Sequence, residues 1–245
     1  MTKSLRATIA TPGGKAPYVR RLFATIADRY DLITVLLSYG QDRRWKRRLL
    51  EMAEPLEGLR LIDLACGTGD IAVAAAARGA VVTGLDLTPR MIQIARDKTG
   101  AGSAFGSVGF VVGDMMTLPF ASESCDVVTT GYGLRNVPEL VPAVQEIGRV
   151  LKPGGLFLSL DFNRPRSAIV RAAYHAYLSA VGSAVGLVLH GDADTYRYIA
   201  ESIRTYPGAD AIVELLGRHG FTNAASRPVL GGLLAIHVAR RDAAV

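Results

Sequence analysis

Cysteine is scarce in this chain of 245 residues. It has two, Cys66 and Cys125, too few for a disulfide framework and at no zinc-ligand spacing. A reducing compartment, the cytoplasm, is expected, and no metal site. Long apolar runs are also missing. The longest uncharged one, 176–189, contains glycines and falls short of the roughly 20 residues that a membrane-spanning helix needs. Residues 1–17 are polar and lack an apolar core segment, so no secretory signal is expected. There is no internal repeat and no low-complexity segment. Acidic residues are few near the start: residues 1–50 hold three Asp against eleven Lys or Arg, while the remainder is about neutral. The densest basic run is Arg43-Arg-Trp-Lys-Arg-Arg48. Either it touches anionic lipid headgroups with Trp45 as an interfacial anchor, or it is a solvated helix face with Trp45 turned into the core. No nucleic-acid-binding motif accompanies this charge, and no such partner is expected. Gly13-Gly-Lys15 lacks the upstream glycine and the following Ser or Thr of a phosphate loop and is not read as one.

The sequence does contain Leu61-Ile-Asp-Leu-Ala-Cys-Gly-Thr-Gly-Asp70, followed by Val81-Val-Thr-Gly-Leu-Asp86. The order strand, glycine turn, helix, strand, acid is a nucleotide-binding half of a doubly wound sheet. Gly67 and Gly69 let the backbone approach a ligand. Asp86 stands where a carboxylate accepts both ribose hydroxyls, with Leu87 beside it. Asp63, just before the glycines, would repel a pyrophosphate. It suits S-adenosyl-L-methionine, which carries a sulfonium and an ammonium. Thr68 is placed at the methionine part. Asp114 suits the adenine amine, and Met115 would cover the ring. A structural βα turn in some other α/β enzyme is the plainer alternative.

Around this motif the pattern alternates. Strands are expected at 60–65, 80–86, 108–113, 125–132 and 156–162, with helices at 71–78, 88–99, 137–151 and 210–219. Residues 100–106 read as a flexible turn and Lys152-Pro-Gly-Gly155 as a helix terminator. A closing strand pair is expected at 224–228 and 233–239, with an antiparallel final strand. The class is α/β, a mostly parallel sheet with helices on both faces. Residues 1–17 are expected as a mobile tail and 18–245 as one domain. Within that domain, 18–54 form a helical lid and 164–206 a helical insertion on the acceptor side.

Several further segments carry a more specific resemblance. They are Phe23-Ala-Thr-Ile-Ala-Asp-Arg-Tyr-Asp31, Ser38-Tyr-Gly40 with Trp45-Lys46, Gly113-Asp-Met-Met-Thr-Leu-Pro-Phe120 and Gly133-Leu-Arg-Asn-Val137. Tyr198-Ile-Ala-Glu-Ser-Ile203 with Pro207, and Gly231-Gly-Leu-Leu-Ala-Ile-His237, continue the series. Together with the glycine turn and Leu151-Lys-Pro-Gly-Gly155, they make residues 18–240 resemble the ubiquinone/menaquinone-biosynthesis C-methyltransferases. The resemblance implies a class I, Rossmann-like fold with a seven-stranded sheet and S-adenosyl-L-methionine as donor. It also implies C-methylation of a polyprenyl hydroquinone; the basic run Arg43–Arg48 would then hold the enzyme at an anionic membrane surface, where such acceptors dissolve. Two positions depart from the family pattern: Thr34 stands where Asn is usual, and Gly131, in the donor site, where Ser is common.

The sulfonium is already a good leaving group, so the chemistry calls for no metal. A ring carbon attacks only once a neighbouring phenolic oxygen sheds its proton. Arg135 stays protonated in proteins, so it is placed as a fixed charge on the developing phenolate, with Asn136 orienting a water. Tyr30, with Asp31 at the end of a lid helix, is placed at the substrate oxygen. A salt bridge for Arg135 and a helix cap for Asn136 are the structural alternatives. His190 and Asp192 are weaker acid–base candidates. A methyltransferase of a secondary metabolite or lipid amine, or a sensor that binds the donor without turnover, would share most of these features. A homodimer stays open.

Overall fold

The computed structural model describes residues 5–100, 108–165, 167–191, 195 and 197–243, with nothing said of the side chains of 189 and 190. The chain begins with helices α1 (Leu5–Ile9), α2 (Pro12–Ile26), α3 (Tyr30–Leu37) and α4 (Asp42–Glu51). The alternating part runs β1 (Arg60–Leu64), α5 (Asp70–Ala76), β2 (Val81–Asp86), α6 (Pro89–Thr99), β3 (Val108–Val112), β4 (Cys125–Gly131), α7 (Leu140–Val150) and β5 (Leu151–Phe162). Two helices interrupt it, α8 (Ala168–His190) and α9 (Arg197–Thr205), before α10 (Ala209–Arg218), β6 (Phe221–Val229) and β7 (Leu234–Arg241) close the chain.

The seven strands lie in the order β3-β2-β1-β4-β5-β7-β6. Strands β1 to β5 are parallel, and β7 runs antiparallel to both β5 and β6. This is the class I methyltransferase sheet, with the antiparallel final strand that the sequence implied. Successive residues of the central strands point to opposite layers. Leu61 packs with Trp45, Leu49, Ile71 and Ala75 on one face. Ile62 packs with Val144, Ile147, Ile212 and Leu216 on the other. Burial on both faces explains why these strands read as continuous apolar runs.

Three expectations change, and one pair of alternatives is decided. Residues 5–9 and 12–26 are helical rather than a mobile tail, because Ile9 and Val19 bury against Tyr198 of α9; residues 1–4 lie outside the description. Of the two readings of the basic run, the structure shows the one with Trp45 turned into the core, 7% exposed, and not the interfacial anchor. The helix expected at 137–151 begins at Leu140, capped by Glu139 in an extended conformation; Asn136 is not its cap. Lys152-Pro-Gly-Gly155 does end that helix, but it forms the first stretch of β5 rather than a free turn. The expected turn at 100–106 falls mostly outside the described residues, as does Asp192. Among the described residues, no helix is long and apolar enough to cross a membrane.

The turn after β1 depends on glycine. Gly67 has φ +55° and Gly69 φ +90°, and a Cβ on Gly69 would lie 2.9 Å from the Phe110 ring. The Gly69→Ala variant should lose about 1–3 kcal/mol from backbone strain and overpacking. Urea unfolding checks this; an unchanged midpoint would mean that the turn relaxes without cost.

Candidate active site

Two cavities meet at the carboxyl ends of β1, β2 and β4, the edge at which ligands bind in open α/β sheets. The first lies against the glycine turn. Nine of the twelve residues placed at the site from sequence line it: Tyr30, Gly67, Asp86, Leu87, Asp114, Met115, Gly131, Arg135 and Asn136. The other three sit beneath or beside it.

Asp86 ends β2 and is held by two backbone amides, the Gly67 N–H to Oδ2 at 2.9 Å and the Thr88 N–H to Oδ1 at 2.8 Å. These bonds fix the carboxylate in the cavity wall. Burial raises its pKa, although the amides pull the other way. Asp114 accepts from the Met116 N–H at 2.9 Å, which orients it in the same manner. Asp63 is fully buried under the turn. Its Oδ1 accepts from the Thr129 hydroxyl at 2.8 Å, while Oδ2 has no partner among the described residues. Burial lifts its pKa to about 7. Asp63 lines neither cavity, but its carboxylate places negative charge beneath the glycine turn, which favours a cationic ligand over a pyrophosphate. Thr68 does not reach the cavity: its hydroxyl donates to Asp31 Oδ1 at 2.5 Å. Gly69 serves as the N-cap of α5.

That Thr68–Asp31 bond ties the lid to the turn. Asp31 also pairs with Lys98 of α6, and Asp28 accepts from Arg90 Nε at 2.8 Å. These contacts bring α2 over the cavity, where Ala16, Val19, Arg20 and Phe23 complete the wall. Tyr30 opens α3 rather than ending a helix, and it lines both cavities.

The second cavity, of about 880 Å³, is walled by α2, α3, α8, α9 and the end of β5. Its lining is mostly apolar, including Leu22, Ile26, Ile33, Leu37, Phe162, Tyr174 and Leu178. Thr34, one of the two departures, also faces it. Tyr30, Tyr132 and Arg135 belong to both cavities and form the junction. Gly131, the other departure, sits against Ile71: a Cβ there would lie 2.8 Å from Ile71 Cδ1, so that side-chain end would have to move.

Arg135 is 6% exposed. Its Nε stands 3.4 Å from Asp161 Oδ1, its own N–H donates to Asp161 Oδ2 at 3.1 Å, and Nη1 donates to the Ser202 hydroxyl at 2.7 Å. The guanidinium carbon lies 5.0 Å from the centre of the Phe162 ring. The ion pair weighed as the structural alternative is therefore present, and it holds the guanidinium at the junction. Asn136 is occupied as well. Its Nδ2 donates to the Tyr132 carbonyl at 2.8 Å, and its Oδ1 accepts from the Tyr198 hydroxyl at 3.1 Å. Its amide is committed to the protein, which leaves little for a water. Burial lifts the Asp161 pKa to about 6 against the pull of Arg135.

Sequence reading missed Lys15. Its Nζ donates to the Arg135 carbonyl at 2.9 Å, and burial, then the Arg135 charge, lowers its pKa to about 8. The available signal was the helical spacing of Ala16, Val19 and Phe23 around it. Also missed was a buried polar chain at the junction. The Tyr132 hydroxyl donates to Asp42 Oδ1 at 2.8 Å, and Lys46 lies 2.6 Å from Asp42 and 3.0 Å from Asp70. Lys46 belongs to the basic run Arg43–Arg48, whose charges were read as surface, and Asp42 immediately precedes it. Burial would lower the Lys46 pKa, but the two carboxylates hold it above its ordinary value.

Comparison with known proteins places this architecture. A model described as the ubiE/COQ5 methyltransferase family matches residues 12–241. The chain belongs to that family. It is 37% identical over 227 residues to a protein of Pseudomonas paraeruginosa named ubiquinone/menaquinone biosynthesis C-methyltransferase, covering 91% of this chain and 88% of the relative. It is 34% identical over 231 residues to a demethylmenaquinone methyltransferase of Desulfitobacterium hafniense, covering 93% and 91%. Among solved structures, a putative methyltransferase in complex with the Trm112 activator of Haloferax volcanii aligns with a TM-score of 0.64 at 19% identity, covering 90% of this chain and 97% of that one. A SAM-dependent methyltransferase of Thermotoga maritima aligns at 0.63 and 16%, covering 91% and 99%. At those identities the likeness is one of fold. The protein is thus an S-adenosylmethionine-dependent methyltransferase of the ubiE/COQ5 family.

Two measurements probe the donor cavity. Asp86→Ala should weaken S-adenosylmethionine binding by roughly 1.5–3 kcal/mol, as loss of charge-assisted hydrogen bonds does. Unchanged affinity in a folded variant, by calorimetry, would remove Asp86 from the site. Asp63 offers a pH test. Its carboxyl is about half protonated near pH 7 in the free protein, and a cationic donor favours the ionised form. Donor binding should therefore release a proton below pH 7, and affinity should rise with pH until that point. Calorimetry in buffers of different ionisation enthalpy reads the release. Asp63→Asn should abolish it; release persisting in that variant would assign the proton elsewhere.

Proposed function

We propose that this protein methylates a ring carbon of a polyprenyl hydroquinone. The observation that carries this reading is the pairing of a polar donor cavity with a large apolar one across Tyr30, Tyr132 and Arg135. An aromatic head at the junction would have its tail among Ile26, Ile33, Leu37 and Leu178. The named relatives act in ubiquinone and menaquinone biosynthesis, which fits that acceptor. A lipid-amine acceptor is less well matched, because the apolar cavity meets the donor cavity at a buried arginine rather than at a carboxylate.

The donor, when bound, supplies an electrophilic methyl group. The protein's task is then to align the acceptor, exclude water and stabilise charge. Arg135 supplies a fixed positive charge for the phenolate that forms when the hydroquinone gives its proton to solvent water; after methyl transfer the ring carbon's own proton leaves to water as well, restoring the aromatic ring. Nη1 is hydrogen-bonded to Ser202, and Nε faces Asp161 at 3.4 Å without a hydrogen bond; among the described residues Nη2 makes none either, so that edge of the guanidinium serves the acceptor oxygen. Tyr30 stands on the opposite side of the junction. Burial raises its pKa, so it stays a neutral hydrogen-bond donor. The roles given to Tyr30, Arg135 and Asn136 belong to this reading, with Asn136 positioning Tyr132 and Arg135 rather than a water. The acceptor is lipophilic, and the enzyme works as a peripheral protein at an anionic membrane surface.

The specificity constant should climb steeply from an untailed hydroquinone to one with a short prenyl tail, since each buried methylene contributes about 0.8 kcal/mol. Equal constants would transfer the assignment to a water-soluble acceptor. Arg135→Ala should lower turnover about 100-fold or more, as loss of one oxyanion donor does. It also strands Asp161, at a cost of about 3–5 kcal/mol in stability, so Arg135→Ala/Asp161→Asn is the better-folded comparison. If donor affinity falls as far as turnover in that pair of variants, the arginine is structural only.

A further inference from the structure

We propose that the outer faces of α3 and α8 form a membrane-docking surface, which seats the mouth of the apolar cavity against an anionic lipid bilayer. The proposal rests on the lipophilic-acceptor reading above and names the face that serves it. Helix α8 exposes Ile169, Leu187 and Val188 at 82%, 61% and 81%. The exposed positions between them are largely alanines, and the helix contains no acidic residue. Helix α3 exposes Leu32, Val35 and Leu36. Soluble proteins rarely leave so continuous an apolar face in water unless it binds something.

The two helices make one surface. Past the end of α3, the Tyr39 hydroxyl is hydrogen-bonded to the Tyr177 hydroxyl of α8. Earlier in α3, Ile33 and Leu37 pack in one cluster with Val185. Moving forward along α3 therefore moves backward along α8, so the two helices run in opposite senses along the cavity wall. The start of α3, with Leu32, lies toward the Leu187 and Val188 end of α8. Tyr39 and Tyr177 both line the apolar cavity, so its mouth opens within this face.

Charge selects the bilayer over a second copy of the chain. Exposed Arg29 precedes α3, and exposed Arg43, Arg44 and Arg48 follow it on α4. The acid on α3, Asp31, is engaged by Lys98 and Thr68. An apolar face with a cationic margin matches an anionic leaflet, where acyl chains meet the centre and headgroups the rim. A two-fold dimer through the same face would bring the arginine margins against each other. The basic run is thus the rim of the surface and the α3–α8 face its centre. With Trp45 buried, the basic run has no apolar anchor of its own.

The test is co-sedimentation of the full chain with vesicles, of phosphatidylcholine alone and of equal parts phosphatidylcholine and phosphatidylglycerol. Binding to the anionic vesicles should be at least about tenfold tighter and should weaken in high salt. Leu187→Glu/Val188→Glu should weaken it at least about tenfold, with thermal unfolding and donor binding unchanged. Arg43→Gln/Arg44→Gln should remove most of the preference for anionic lipid. Vesicle binding untouched by the Leu187/Val188 pair would overturn the proposal. So would a wild-type dimer, seen by ultracentrifugation, that this pair splits while neither form binds vesicles. Turnover of a short-tailed, water-soluble hydroquinone without vesicles separates the two readings. Turnover without vesicle binding overturns docking alone. Face-dependent vesicle binding with no turnover of any tailed hydroquinone upholds docking and rejects the acceptor.

Discussion

Arg135 brings a permanent charge to a place where only 6% of its surface meets solvent, and the rest of the site is organised around that burial. A lone buried cation is untenable, so Asp161 at the end of β5 stands opposite it. The Ser202 hydroxyl of α9 takes Nη1, the Phe162 ring covers one face, and Lys15 of α2 holds the backbone carbonyl. One residue on the short turn after β4 thereby ties together the sheet edge, the first lid helix and the inserted helices. These are the three parts of the chain that wall the apolar cavity. An apolar side chain there would remove one polar tie of the insertion to the sheet edge and leave the Tyr198–Asn136 bond and the packing on Phe162.

The same arrangement separates two chemistries within one cleft. On the sheet side the wall is polar and made of oriented groups: Asp86 and Asp114, each held by backbone amides, and the peptide edges of the glycine turn. On the insertion side it is aliphatic and aromatic. The lid closes this junction through short polar links, Asp31 to Thr68 and Asp28 to Arg90. Such links between partly exposed groups are individually weak.

The sheet was legible in the sequence because its strands are buried on both faces and read as uninterrupted apolar runs between glycine turns. The donor wall was legible for a related reason. Gly67, Asp86 and Asp114 sit at the ends of those strands, where a βα unit must present its loops. The lid was harder to read. Lys15 follows two glycines in a polar stretch, and its burial depends on Arg135, 120 positions away. Lys46 looked like surface because four arginines surround it, yet the helical repeat that turns Trp45 inward also carries Lys46 toward Asp42 and Asp70. Thr68, between the glycines, looked available to a ligand, but its hydroxyl is taken by Asp31 from the lid. Each of these depends on a partner distant in sequence, which local pattern cannot supply.

The central claim is that a donor and a lipophilic ring meet at Tyr30, Tyr132 and Arg135, with the tail running into the apolar cavity. A crystal structure with S-adenosylhomocysteine and a short-prenyl hydroquinone tests it most directly. The account predicts the ring between Tyr30 and Arg135, its oxygen on the guanidinium, and the tail among Ile33, Leu37 and Leu178. A ring bound away from Arg135, or a tail that leaves the α3–α8 cavity empty, would contradict it.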